Sequence, residues 1–393
     1  MAAAWRHFKR NWKIYGIFFG TWLGSRWGAK RYREAAITRS YCLEAKQYSE
    51  KPVSLMDKID RIYLFLNPKS NNSNAKKLFM KYSAPIFNLS GTEIILIESD
   101  YEGQIQSLIN YIQSSGTAAL VVAGGSGTLL EVVNGLLRRN GLSVPVGVLP
   151  LGKDNSFYYS QLRERKGKNE LPARSIGEAT MNIIRGNTKP VNIIKLQPEK
   201  GKTLYAVSSV KWGVVHDAEI NKNSWRLFGL LRTFLSYTST AVRKWPMGFI
   251  LNITEREKGE NKAAISPPVA PLRRSVDIVG FNIEEEREGF LVLSWLPSEL
   301  TKKSAFIKQG FYRSFAKKKA TNLGNGLSTE SISSNDFNIR PSTNTSTTSK
   351  TDSSTGDAGL IPQYWYSVDG EPFEAVPLDV SLEKNRLQVF CTS

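Results

Sequence analysis

The stretch AALVVAGGSGTLLEVVNGLL, Ala118–Leu137, decides how the rest of the chain is read. Ala119–Ala123 is a short apolar run that stops abruptly at Gly124 and Gly125, as a core strand of a parallel sheet does. Leu129, Leu130, Val132, Val133, Leu136 and Leu137 then recur at helical spacing, with Glu131 and Asn134 on the other face. The pattern predicts strand, glycine turn and helix, with the helix starting near Thr128. Gly124, Gly125 and Gly127 lack Cβ atoms and can adopt φ > 0, so their backbone N–H groups are expected to close around an oxyanion. The positive end of the helix favours the same kind of ligand, a phosphate. An ordinary strand–turn–helix carries such glycines too, so the neighbouring loops have to decide.

Upstream, Arg61–Leu66 reads as a first strand, closed by Asn67, Pro68 and the polar turn Lys69–Asn74. A helix at Ala75–Ile86, a strand at Glu93–Ile97 and a helix at Gly103–Ser114 lead to the opening stretch, and a strand at Val146–Leu149 follows it. Strands alternating with helices at this rhythm predict a Rossmann-like parallel α/β domain over 59–190. Functional loops of such sheets lie at the carboxyl ends of the strands. Asn67–Pro68, Gly124–Thr128 and Pro150–Asn155 all fall there, and their convergence is a stronger signal than any one of them.

From Val191 the texture changes to short β-rich runs at Val191–Leu196, Thr203–Val210, Phe249–Ile253, Ser275–Asn282, Phe290–Ser294, Tyr364–Val368 and Leu387–Cys391. One helical stretch, Trp225–Lys244, interrupts them. The prediction for 191–393 is an antiparallel β-sandwich domain, with nucleotide between it and the α/β domain. Glu255–Arg274 is charged and Pro-rich, hence an exposed loop. Thr321–Gly359, rich in Ser, Thr, Asn and Gly, is expected to stay disordered.

The net charge of +18 calls for an anionic partner: nucleic acid, an acidic membrane surface or a phosphate-bearing substrate. No zinc-finger spacing or RNP-like stretch supports nucleic acid. Two cysteines, Cys42 and Cys391, exclude a disulfide framework, and two histidines leave little material for a triad or a His-rich metal site. Residues 1–33 are basic and contain no acid before Glu34; their apolar core, Ile14–Leu23, is too short for a clean bilayer span. Residues 1–58 are therefore read as a basic amphiphilic leader or interfacial anchor, with Trp12, Tyr15, Trp22 and Trp27 suited to the headgroup level.

The early NP turn, GGSGT after the third strand, PLGKDNSF, the middle WRLFGLLR and the late VDGE resemble the diacylglycerol kinase catalytic family, shared with sphingosine and ceramide kinases. DYEGQ, EVVNGLLRR, KWGVVHDAEI and the terminal FEAVPLDVSLEKNRLQVFC are similar to the acylglycerol kinases within it. The resemblance implies ATP bound by Asn67, Pro68, Gly124, Gly125, Gly127, Thr128, Gly152, Lys153, Asn155, Arg226, Arg232 and Glu371. It further implies Mg²⁺ at Asp369 and lipid headgroup recognition by Asp217. Each position has a plainer alternative: Asn67 as a turn former, the two arginines as solvated charges, and Asp369–Gly370 as a hairpin turn. Arg226 and Arg232 stand six apart, so both reach one anion only if the helix breaks near Gly229.

One position departs from the family. Where relatives carry Asp between the glycines, the usual acceptor of the substrate's proton, this chain has Ser126. A serine hydroxyl is no base near neutral pH, and general-base help is worth about 10²–10⁴-fold. Phosphoryl transfer rests chiefly on positioning and charge neutralisation, so its loss need not abolish the reaction. Asp154, an acid that the family's loop does not have at this place, is a candidate substitute. The expected function is a lipid kinase phosphorylating mono- and diacylglycerol at an anionic membrane. The resemblance implies a place at the mitochondrial inner membrane, facing the intermembrane space, and, as the alternative function, a catalytically weak or inactive relative serving there as a subunit of the carrier translocase.

Overall fold

The computed structural model describes residues 2–49, 61–113, 115–139, 143–162, 171–243, 245, 249–255, 273–286, 289–315, 327–343 and 365–392. The chain divides into two compact units, Met1–Leu129 with Gly141–Lys189 and Gln388–Ser393, and Leu130–Asn140 with Pro190–Leu387.

The first unit opens with a 48-residue helix, α1 (Ala2–Ser49). After β1 (Arg61–Leu66) come two single turns, α2 (Ser70–Ser73) and α3 (Ala75–Leu78), and a π-helical turn leading into α4 (Ala84–Ser90). Then follow β2 (Ile94–Glu98), α5 (Gln104–Ile109), β3 (Thr117–Gly124), α6 (Ser126–Arg138), β4 (Val146–Pro150) and α7 (Pro172–Arg185). The strands form a parallel sheet in the order β2-β1-β3-β4, with Leu64 opposite Leu96 on one side and Val121 on the other. Leu64, Phe65, Leu66 and Leu120–Ala123 are buried, which accounts for their uninterrupted apolar runs. The chain winds from β1 to β2 on one side, then starts again at β3 on the other. The carboxyl ends of β1 and β3 therefore flank a topological switch point, where open α/β sheets bind ligands.

The second half of α1 is part of this unit rather than a separate leader. Tyr41, Cys42 and Ala45 pack with Ile86 of α4 and Met181 of α7, and buried Glu34 accepts hydrogen bonds from Lys81 Nζ at 2.9 Å and Tyr82 Oη at 2.7 Å. Farther up, Arg26 and Arg31 lie over the exposed rings of Trp22 and Trp27 at 4.8 and 4.2 Å. Among the described residues, no helix is long and apolar enough to cross a membrane.

The second unit runs β5 (Thr188–Pro198), β6 (Leu204–Ala206), β7 (Ser209–Gly213), α8 (Val214–Asn221), a 3₁₀ segment (Arg226–Leu231) and α9 (Arg232–Arg243). It continues through β8 (Phe249–Glu255), β9 (Arg273–Glu285), β10 (Leu291–Pro297), α10 (Lys303–Phe315), β11 (Glu330–Ser334) and β12 (Asp336–Thr343). It ends with β13 (Trp365–Val368), β14 (Glu371–Glu374) and β15 (Leu378–Phe390). Antiparallel pairing joins β14-β13-β7-β9-β8-β12-β15, with β10 and β11 added on β9. Its core holds Trp212, Phe281, Trp295, Phe337 and Tyr366, together with Leu130 of α6. Asn134 of α6 fastens on β6: its side chain receives the Tyr205 N–H and donates to the Tyr205 carbonyl, both at 2.9 Å.

One segment corrects the reading of Thr321–Gly359 as disordered. Within it, β11 and β12 are strands, β12 sitting between β8 and β15. Phe337 and Ile339 are buried, and two such side chains on one face suffice to add a strand to an existing sheet. Residues 321–326 and 344–359 lie outside the described residues, as do 256–272 of the expected loop Glu255–Arg274, whose end residues Glu255, Arg273 and Arg274 belong instead to β8 and β9.

Candidate functional site

In the first unit the three predicted loops meet. Asn67 follows β1; its N–H donates to Ala123 O at 3.2 Å, its side-chain amide reaches Thr128 Oγ1 at 3.4 Å, and its Oδ1 accepts the Lys69 N–H at 3.0 Å. The last bond closes an Asx turn that fixes half-buried Asn67 and Pro68 at the strand end. Gly152 donates its N–H to Gly124 O at 2.8 Å, and Asn155 braces the same loop with Nδ2 on Gly152 O at 2.7 Å.

The glycines serve by their size. None of Gly124, Gly125 and Gly127 has a positive φ, so of the two properties read from sequence it is the missing Cβ that these positions use. A Cβ on Gly152 would stand 2.3 Å from Gly125 Cα, and one on Gly124 would stand 2.5 Å from Thr128 Oγ1. The backbones of two loops pass at closest approach, leaving no room for side chains. The helix also begins earlier than predicted, at Ser126, so Gly127 and Thr128 lie in its first turn, where amides lack intrahelical acceptors. Together with the helix dipole these amides make an anion site.

Ser126 is buried. Its N–H donates to Asp154 O at 3.0 Å, and its Oγ lies 3.3 Å from the same oxygen and 3.4 Å from Ser156 Oγ. What faces Ser126 is thus the backbone of Asp154, while the Asp154 and Lys153 side chains are exposed.

The other predicted residues belong to the second unit. Asp369 and Gly370, with φ of +50 and +98, form the two-residue turn between β13 and β14, closing on the pair Val368–Glu371. Asp369 is buried, and its carboxylate accepts three amides: Val207 N at 2.6 Å on Oδ2, and Ser208 N at 2.8 Å and Ser209 N at 2.9 Å on Oδ1. Burial pushes its carboxyl above the usual range, against the pull of the three amides and of Lys211. Asp369 therefore corrects the expectation of a metal ligand. Its lone pairs anchor the turn that starts β7, and it does not fit an inner ligand of Mg²⁺. Among the described residues, no group of three or more His, Cys, Asp or Glu could hold a metal. Glu371, half-buried on β14, is the remaining carboxylate of the turn.

From β7 the chain turns into α8 at Gly213, φ +102, where a Cβ would meet Gly280 Cα and Val279 O, both at 2.3 Å. Asp217 sits in the first turn of α8, half-buried. Beside it, burial and then the Lys211 charge hold His216 down at about 4, so it is neutral at physiological pH. Arg226 and Arg232 are exposed and flank the break that the six-residue spacing required, at Gly229 with φ +53 and ψ −116.

Sequence reasoning missed Ser156 beside Ser126, Lys211 beside Asp369 and His216, and the Val207–Ser209 amides on Asp369. All are contacts between distant segments of ordinary composition, and only the PLGKDNSF spacing hinted at Ser156.

The diacylglycerol kinase catalytic domain family matches residues 61–196, which contain all the loops of the first unit described above. The mouse protein "Acylglycerol kinase, mitochondrial" is 30% identical over 285 residues, covering 70% of this chain and 66% of its own. Its human counterpart is 26% identical over 423 aligned positions, covering 100% and 97%. A sphingosine kinase of Arabidopsis thaliana is 27% identical over 197 residues, 49% of this chain and 39% of its own. A solved diacylglycerol kinase from Bacillus anthracis shares the fold, with a TM-score of 0.54 at 15% identity over 86% of this chain and 98% of that one.

Proposed function

The chain belongs to the diacylglycerol kinase catalytic family and is an ATP-dependent lipid kinase, and from that premise we propose that its acceptor is a hydroxyl of mono- or diacylglycerol. The observation that carries the reading is the cradle at the switch point, where Gly125 and Gly152 crowd backbone against backbone and Gly124 sits against the Thr128 side chain at the start of α6.

In the proposed reaction the acylglycerol oxygen bonds to the γ-phosphorus as the bond to the β–γ bridging oxygen breaks. The products are ADP and lysophosphatidic or phosphatidic acid. Gly127 and Thr128 amides hold phosphate oxygens, and Asn67 and Asn155 fix the loops around them; Arg226 and Arg232 are further candidates for binding phosphate as exposed cations. Glu371 orients nucleotide and Asp217 accepts a glycerol hydroxyl. The hydroxyl proton passes to solvent or to a phosphate oxygen, because Ser126 cannot take it. Mg²⁺, when bound, neutralises phosphate charge; Asp369 is not among its direct ligands in this arrangement.

A mitochondrial location is supported by the names of the relatives and by the acid-free basic residues 1–33, and within it we propose the inner membrane, on its intermembrane-space side. Ser126 favours one second reading, a chain that binds nucleotide, no longer turns it over, and serves as a carrier-translocase subunit. The test is a kinase assay with Mg-ATP and monoacylglycerol in detergent micelles, run on the natural chain and on Ser126→Asp. Turnover by the natural chain is the expected result. Turnover by Ser126→Asp alone would identify a decayed kinase, and turnover by neither would overturn the proposal.

A further inference from the structure

The second unit presents a large apolar surface that its own core leaves uncovered. Over the 3₁₀ segment and the break at Gly229, Leu227 is 91% exposed, Leu230 72% and Leu231 45%. On α10, Phe311, Tyr312 and Phe315 are exposed at spacings of one, three and four residues, which puts them on one face of the helix. The two sets adjoin. The 3₁₀ segment packs against α10, the Phe234 N–H donates to Ser314 Oγ at 2.9 Å, and the rings of Phe234 and Phe311 meet edge-to-face at 5.8 Å. Side chains of this size in open water on two adjoining elements exceed the scattered single exposures normal for a soluble surface.

The charge around this patch is predominantly positive. The described residues Ile220–Arg243 hold four Lys or Arg and no acid, and Leu300–Phe315 hold four and no acid. Lys308 lies on the same exposed face of α10 as Phe311 and Tyr312, and Arg226 and Arg232 bracket the leucines. Glu219, the last acid before the first stretch, is engaged by Arg313 and Lys222, both at N–O distances under 3.5 Å. Apolar side chains set among an excess of cations, with Glu219 already paired to two of them, complement the interfacial zone of an anionic bilayer, with acyl chains beneath and phosphate headgroups above.

We propose that the 3₁₀ segment and α10 form a docking surface that inserts Leu227, Leu230, Leu231, Phe311, Tyr312 and Phe315 into an anionic membrane. This rests on the lipid kinase reading, since it explains how a soluble-looking β unit reaches a substrate dissolved in the bilayer. Asp217 on α8 and the arginines next to the patch then stand at the membrane surface when the patch is inserted. The surface is distinct from the basic leader and acts without it.

The test uses the full chain with Cys42→Ser and Cys391→Ser, carrying a nitrobenzoxadiazole fluorophore on Leu230→Cys or, as a reference in the first unit, on Tyr111→Cys, where Tyr111 is 84% exposed. The chain is mixed with phosphatidylcholine vesicles, with or without phosphatidylserine, some carrying a nitroxide on the acyl chain. The expected result is a blue shift and nitroxide quenching at position 230 on vesicles containing phosphatidylserine, with neither at position 111. Emission at 230 that stays that of water on vesicles that have bound the chain would overturn the proposal. So would a probe already blue-shifted without lipid in a chain of dimeric mass, the mark of a second copy on this face. In a second measurement, Leu227→Glu with Leu230→Glu is expected to lower turnover of long-chain diacylglycerol in vesicles at least tenfold. Turnover of a soluble short-chain acylglycerol stays unchanged. Equal loss on both substrates counts against docking. Failure of the natural chain on both refutes the kinase reading, while the fluorescence still reports on insertion.

Discussion

Replacing Asp369 with Asn separates a structural carboxylate from a metal ligand. Asparagine keeps one oxygen to serve Ser208 and Ser209 but turns an NH₂ toward the Val207 amide, which now donates to Oδ2 at 2.6 Å. The variant loses one charge-assisted hydrogen bond and leaves a buried N–H facing another donor. Together these cost ~2–4 kcal/mol. For a unit of this size each kcal/mol lowers the melting temperature by about 2–4 °C, so a fall of roughly 5–15 °C is expected for the second unit. Asp369→Ala, which strands all three amides, falls further. Thermal unfolding followed by circular dichroism in the absence of nucleotide and metal is the assay, because a ligand role is silent there. An Asp369→Asn chain that melts with the natural protein but binds Mg-ATP weakly would refute the reasoning and return Asp369 to the metal.

Gly152→Ala places a Cβ 2.3 Å from Gly125 Cα and 2.8 Å from Gly125 N, whereas carbon atoms rest about 3.5–4.0 Å apart. The two loops must part by roughly 1 Å, a displacement worth ~10²-fold in rate. Calorimetric ATP affinity is expected to drop at least tenfold, while Gly28→Ala, which meets nothing within 4 Å, leaves it unchanged. His216 titrates at about 4 in the folded chain and near 6.5 when unfolded, so the unfolded state binds more protons between those values. Its contribution, up to ~3 kcal/mol, is complete above pH ~6.5 and drains away as pH falls toward 4. His216→Gln should flatten that part of the stability–pH curve, measured by urea unfolding. Asn134→Leu leaves the N–H and carbonyl of Tyr205 without their partner and is expected to destabilise the second unit by ~2–4 kcal/mol in the same measurement.

The parallel sheet was legible because β1, β3 and β4 are buried on both faces and so write their positions as apolar runs. The three loops followed, since strand ends carry loops: glycines marked two of them and Asn67–Pro68 the third. The break at Gly229 was legible from the demand that two arginines face one anion. What could not be read depends on partners far along the chain. Nothing near Asp369 announces that Val207–Ser209, some 160 residues earlier, will claim its oxygens. The glycines were read for their freedom to adopt φ > 0 and their lack of Cβ atoms, but the closeness of Gly152 and Gly125 exists only after folding. β12 was hidden because its composition is that of a linker, with Phe337 and Ile339 as its only bulky apolar side chains. α10 escaped because its buried face includes Gln309 and Gly310, the latter flat against Tyr237, so no apolar stripe repeats.

The end of β15 sets an order of events for synthesis. Val389 pairs with Val146 of β4, Cys391 N donates to Asn187 O at 3.0 Å, and Thr392 Oγ1 to Leu162 O at 3.2 Å, so residues 388–392 complete a unit that begins with α1. While the ribosome is still making the β-rich half, β4 has already emerged with one edge unpaired. Such an edge is an invitation to sticky pairing with other chains. The α/β unit is finished only when the end of β15 has left the tunnel, well after the unit's other residues have done so. A nascent chain stalled before Leu387 should therefore hold a protease-sensitive first unit and recruit chaperones, although the loops Asn67–Pro68, Gly124–Thr128 and Pro150–Asn155 have all been made.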